Sequence, residues 1–134
     1  MDATGTPFRK VSDDTAFSIS VKPVAAITNT KLPYKITGQI GRDLVADVCG
    51  DNDLIAGFPA SALTAAQIAA GEAVRLDRAG YFDTVMIGGA GAVGQPITAA
   101  VGGVRVAVVT TDLFQGFIVT AAAQNARVTV RLIA

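Results

Sequence analysis

"VMIGGAGAVGQP", residues 85–96, decides how the chain is read. A β-branched run leads into Gly89-Ala90-Gly91-Ala92-Val93-Gly94, which spells G-x-G-x-x-G, the spacing that cradles a pyrophosphate in dinucleotide-binding folds. That fingerprint works only with a strand before it, a helix after it and an acidic residue ~20 positions on to hold a ribose. Thr84 to Ile87 reads as the strand. The helix fails, because Gln95-Pro96-Ile97-Thr98 follows the last glycine and Gly102-Gly103 stops any helix soon after. About eight residues are also too few for a crossover to a parallel strand. Asp112 comes late for the acid and belongs to another pattern, described below. The glycines are turns, and no cofactor is expected.

Outward from this stretch the period is two, or the runs are short and β-branched. Val74-Arg75-Leu76, Val104 to Val109, Phe117-Ile118-Val119 and Val128-Thr129-Val130-Arg131-Leu132 read as strands. Arg75 and Arg131 then point away from their valine and leucine neighbours. Gly41, Gly50, Gly80, Gly88 to Gly94 and Gly102-Gly103 punctuate the chain at about ten-residue intervals. Short strands with frequent turns predict a mainly β fold, a small barrel or sandwich. One short helix is expected near 64–70, where Thr64-Ala65-Ala66-Gln67 has the form of a capping box and Gly71 suits a left-handed exit.

The chain also echoes itself. "DLIAGF" at 53–58 matches "DLFQGF" at 112–117, and "AVRL" at 73–76 matches "TVRL" at 129–132. Two copies at this spacing suggest an internal duplication, with approximate repeats 37–76 and 94–132, inside one β-rich body of residues 23–134. Residues 1–22 differ from the rest, being polar with sparse apolar anchors, and read as an extended N-terminal arm that could span at most ~70 Å.

Composition removes whole classes of chemistry. The 134 residues contain no histidine and one cysteine. That excludes the common Ser-His-Asp and Cys-His triads and the usual zinc sets, so neither catalytic nor metal-binding residues are expected. Asp51-Asn52-Asp53 lacks the spacing of a calcium loop and reads as a tight hairpin turn, and Cys49 reads as a small buried residue. Eleven basic and eleven acidic side chains cancel, leaving no electrostatic footprint for nucleic acid or an anionic membrane. No apolar run approaches the ~18 residues of a membrane span, and Met1 to Asp14 lacks the form of a secretion signal. Synthesis in a cytoplasm is the expectation. Charged residues make up 16% of the chain, against the usual ~25%, so part of the surface is expected to meet other subunits.

Several segments together carry a family resemblance. "VKPVAAIT" follows the arm, then come "GFPASALTAAQIAAGEAVRLDRAGYF" and "GGAGAVGQPITAAVGGVRVAVV", and the chain ends on "GFIVTAAAQNARVTVRLIA". This pattern resembles the small head decoration, or capsid cement, proteins of tailed bacteriophages. In that family a strand of the form G-E-x-V-x-V/L leads to a glycine turn, and the chain closes on V-x-V-x-L. The match spans roughly residues 22–134. Gln95 stands where the family often carries an acid after its glycine, and Gly103-Val104 replaces the usual glycine-basic start of the next strand.

The resemblance implies a structural virion protein without enzymatic activity. It would sit on the outer surface of an icosahedral capsid as a homotrimer and bridge subunits of the major capsid protein against internal DNA pressure. Phe8, Arg9, Lys10 and Phe17 in the arm, with Lys22 at its exit, are the candidate capsid contacts. The alternative reading is a small-ligand or carbohydrate-binding β module on a particle surface, against which the absence of tryptophan counts.

Overall fold

The computed structural model describes residues 18–133. Its first sheet contains β1 (Ser18–Pro23), β2 (Tyr34–Ile40), β3 (Asp43–Val48), β4 (Phe58–Pro59) and β5 (Val74–Asp77), in the order β2-β3-β1-β5-β4. The second contains β6 (Tyr81–Val85), β7 (Pro96–Ala100), β8 (Gly103–Val106), β9 (Gly116–Thr120) and β10 (Arg127–Leu132), in the order β6-β10-β9-β7-β8. Among these strands all pairings are antiparallel except β1 with β3, and the isolated Met86–Val104 bridge is parallel. The fold is mainly β and sandwich-like rather than a closed barrel. Isolated bridges between Tyr34 and Gly57, and between Met86 and Val104, draw the outer strands of each sheet towards one another.

Alternation builds the two cores. Val74 and Leu76 on β5 are buried while Arg75 is exposed; Val128, Val130 and Leu132 on β10 are buried while Arg131 is exposed. Val21, Ile27, Tyr34, Ala46, Leu63, Val74 and Leu76 form the cluster of the first sheet. The second cluster gathers residues of the second sheet with Cys49, Ile55 and Phe58 from the first half of the chain. Phe58 stacks on Phe82 with ring centroids 4.8 Å apart, joining β4 to β6. Apolar burial across that joint makes each half depend on the other.

The echo between the halves has a structural counterpart. Gly57-Phe58 and Gly116-Phe117 each lead into or begin a strand paired antiparallel to the one carrying Leu76 or Leu132. A methyl group on Gly57 would meet the Asp77 carbonyl, and one on Gly116 would meet the Arg131 carbonyl, so both positions need the smallest residue. The remaining hairpins are placed differently: β2-β3 joins its sheet through β1, whereas β7-β8 joins through β9.

Three local expectations change. Residues 18–22, assigned to the arm, form β1 in the middle of the first sheet, paired with Asp77 to Val74 on one side and Leu44 to Ala46 on the other. Residues 18–22 therefore belong to the body, and the rest of the expected arm lies outside the described residues. The strand expected to run to Val109 stops at Val106, because the Val108 amide donates to Asp112 Oδ2 at 2.7 Å instead of continuing the ladder. Residues 49–56 do turn at Asp51-Asn52 as expected, but they make no hairpin: this crossing segment links β3 to the non-adjacent β4 and adds Cys49 and Ile55 to the core of the second sheet. The helix α1 (Ala65–Ala69) is as short as its sequence allows, and both bonds of the Thr64–Gln67 capping box are made.

Candidate functional site

The glycine stretch is the first candidate, and three of its backbone donors are already occupied. Gly91 N–H donates to the Ala122 carbonyl at 2.8 Å, Gly94 N–H donates to the Ile118 carbonyl at 2.8 Å, and Ala92 N–H donates to Gln95 Oε1 at 2.7 Å. These are the groups a phosphate would need. A Cβ on Gly91 would overlap Ile118 and Met86, so this glycine is packed against the core. Strand β7 follows Gly94 where a dinucleotide fold places its helix. The loop is a strand-to-strand turn.

The crossing segment carries the densest polar geometry. Arg105 on β8 holds two carboxylates at once, Asp51 through Nε at 2.7 Å and Asp112 through Nη2 at 3.0 Å. The Arg105 guanidinium, and then the Val108 amide, push the Asp112 carboxyl down to about 2. The same two carboxylates, Asp112 first, raise the Arg105 pKa above its ordinary value. Asn52, held at a positive φ of 58°, accepts from Thr98 Oγ1 and the Leu113 amide, both at 2.9 Å. Lys35 lies 2.7 Å from Asp53 and, with the Gly50 amide, lowers that carboxyl. The arrangement is a clasp. Its donors and acceptors satisfy one another, and no group of three or more His, Cys, Asp or Glu among the described residues is placed to hold a metal. Cys49, buried beside it, has its thiol pushed up to about 12 by burial first and then by the Asp53 charge.

The outer face of the second sheet carries an aromatic and cationic row that alternation alone only half reveals. Register places Tyr81 opposite Arg131 and Arg131 opposite Phe117, and Phe117 opposite Pro96, so one row crosses four strands. The Arg131 guanidinium lies 5.3 Å from the Tyr81 ring centre, a cation–π arrangement. Beside the row, Tyr81, Val93, Gly94, Phe117, Val119 and Arg131 line an open cleft of about 310 Å³. Tyrosine, phenylalanine and arginine are residue types that anchor protein contacts. Sequence reading sends Arg131 outwards, yet it cannot bring Tyr81 and Phe117 beside it, because strand order does so.

Of the expected capsid contacts, Phe8, Arg9, Lys10 and Phe17 lie outside the described residues. Lys22 lies on β1 with Nζ 3.3 Å from Asp43 Oδ2, a half-exposed ion pair within the first sheet. No helix among the described residues is long and apolar enough to cross a membrane.

No family model matches the chain, and no curated protein matches it in sequence. Among solved structures it is similar to the head fiber gp8.5 N base of bacteriophage phi29, with a TM-score of 0.59 and 15% identity, covering 87% of this chain and 92% of that one. At that identity the likeness is one of fold. The resemblance to phage head proteins read from the sequence is thus met by a solved phage head protein with the same architecture.

Proposed function

We propose that the chain is a structural protein of a bacteriophage virion, carried on the outer surface of the head, where it cements neighbouring subunits of the major capsid protein. The observation that carries this reading is the fold shared with a phage head fiber base over most of both chains. The physical character of the chain supports it. The body displays apolar and aromatic side chains on a surface of low charge density, which suits broad protein contacts. Weak contacts repeated over a shell add up to avidity without any single tight site. The arm, through Phe8, Arg9, Lys10 and Phe17, contacts the coat.

Binding to expanded, DNA-filled heads tests this reading, with the full chain compared against residues 18–134. The deletion stops before Ser18 because residues 18–20 pair with Asp77 to Arg75 in the sheet. The full chain is expected to sediment with the heads and the shortened chain to stay in solution. Equal binding by both would refute the role of the arm. The Tyr81–Phe117 cleft favours a second reading, a surface module for a small ligand or carbohydrate stacked on its rings. Glycan binding abolished by Tyr81→Ala would establish that alternative.

A further inference from the structure

We infer that the cleft over Tyr81, Phe117 and Arg131 is a binding site for a sugar acid, a pyranose ring that carries a carboxylate. This deepens the second reading above, on which it rests, by naming the chemical class of the ligand. Arg131 supplies the charge. Arg75 and Arg105 spend their guanidinium groups on Asp77 and on Asp51 with Asp112, and Arg78 donates to the carbonyls of Ile55, Ala56 and Ile133. Arg131 meets no carboxylate among the described residues, and its side chain's one hydrogen bond to them is a long 3.4 Å contact from Nη1 to Tyr81 Oη. The Tyr81 ring, with its centre 5.3 Å away, holds the guanidinium in place without using its other donors. Asp83, opposite Thr129 one row along, accepts from the Thr129 hydroxyl at 2.9 Å and is not part of the cleft wall.

A planar cation held in position with donors to spare favours a carboxylate, which it takes through two parallel hydrogen bonds. The rest of the wall favours a ring. Tyr81 and Phe117 stand on either side of Arg131, on the two strands that flank it, and Val93 and Val119 add apolar surface. Gly94, at φ +86°, leaves its side of the cleft bare, with open space where a Cβ would sit. At about 310 Å³ the cleft lies at the lower end of the ~300–1,000 Å³ of small-ligand sites, which suits one ring and not a helix.

The backbone argues against a peptide strand as the occupant. Arg131 lies on β10, which pairs with β6 on one side and β9 on the other, so an extended peptide finds no open strand edge beneath the cleft. The Gly94 N–H is spent on the Ile118 carbonyl. Recognition is left to ring faces and one guanidinium, which fit a compact ligand with an apolar face and an anionic tip. The cleft is open, so the ligand's other polar groups keep their water and need no buried partner. A sugar acid meets all three conditions, with its C–H face, its carboxylate and its hydroxyls.

Nuclear magnetic resonance titration of the full-length, isotope-labelled chain with methyl glucuronide and methyl glucoside tests it, because the two probes differ only in a carboxylate against a hydroxymethyl group. The glucuronide is expected to shift the amides of Gly94 and Phe117 and the Arg131 side-chain N–H with millimolar saturation. The glucoside is expected to bind at least about tenfold more weakly, having no anion for the guanidinium. Arg131→Gln, at an exposed strand position, is expected to abolish that preference with the rest of the spectrum unchanged. Tyr81→Leu is expected to weaken both probes. Equal binding of the two glycosides, or a preference that survives Arg131→Gln, overturns the inference and leaves the carbohydrate reading standing. A capped aspartate peptide that shifts the same signals more tightly than the glucuronide also overturns it, by assigning the cleft to protein carboxylates. No response to either glycoside overturns it together with the second reading, while shell binding stands on its own test.

Discussion

The Ile55 amide donates to Gln115 Oε1 at 2.6 Å, although sixty positions separate the two residues. The same side chain donates through Nε2 to the Asp53 carbonyl at 2.7 Å and to Thr98 Oγ1 at 3.0 Å. One buried amide therefore satisfies the backbone of the crossing segment from the strand side of the other half. Gln115→Leu keeps the volume but strands the Ile55 amide and the Asp53 carbonyl. Each orphaned buried group costs roughly 1–3 kcal/mol, so a total loss of about 2–6 kcal/mol is expected in urea unfolding. A loss below half a kcal/mol would show that the clasp contributes little.

Thr84 presents the opposite case. Its hydroxyl is buried with no hydrogen-bond partner among the described residues, at a position paired with the buried Val128 of β10. Thr84→Val retains the shape and removes the desolvated oxygen. A gain of about 1 kcal/mol is expected, raising Tm by roughly 3–5 °C by calorimetry. Destabilisation would mean that the oxygen is satisfied in solution.

The glycine stretch should fail structurally, not chemically. Gly94 has φ +86° with open space around it, so Gly94→Ala costs roughly 1–2 kcal/mol of backbone strain. Gly91→Ala forces a methyl group against Ile118 and Met86, at about 1–3 kcal/mol. Both are expected to lower Tm, and neither NAD nor ATP is expected to shift Tm in the wild type or the variants. Stabilisation of the wild type by either nucleotide, lost in Gly94→Ala, would restore the cofactor reading.

Acid should loosen the β8–β9 loop. The Asp112 carboxyl is depressed from 3.8 to about 2, chiefly by its hydrogen bond from Arg105. A depressed carboxyl stabilises the folded state above its unfolded pKa and loses that contribution as pH falls through the folded value. Hydrogen-exchange protection of the Val108 amide is thus expected to persist down to about pH 4 and to fade towards pH 2. Asp112→Asn is expected to remove this dependence. Protection that fades between pH 7 and 5 instead would contradict the assignment.

Local signals were enough for some elements and not for others. Val74-Arg75-Leu76 and Val128 to Leu132 could be read because their alternation matches burial on one side of a strand. The Thr64–Gln67 box could be read because its bonds close within three residues. Ser18 to Pro23 could not, since one of its partners is a parallel strand more than twenty positions away and its serines and lysine mimic a tail. Val108 and Val109 have strand-like side chains, yet Asp112 and Arg105 pull the backbone out of the ladder. Asp51 to Asp53 have the composition of a turn, and Lys35, Thr98, Arg105, Leu113 and Gln115, distant along the chain, make them a clasp. The aromatic row was hidden for the same reason, because strand order rather than sequence spacing sets Tyr81 beside Arg131 and Phe117.

The proposed virion role is tested most directly by electron cryo-microscopy of particles from a source whose genome encodes this chain. The expected result is density on the exterior of the head that fits the two curled sheets of residues 18–133, with the chain's own N-terminal segment reaching the coat. Purified particles whose heads carry no such density, and whose mass spectra lack peptides of this chain, would contradict it.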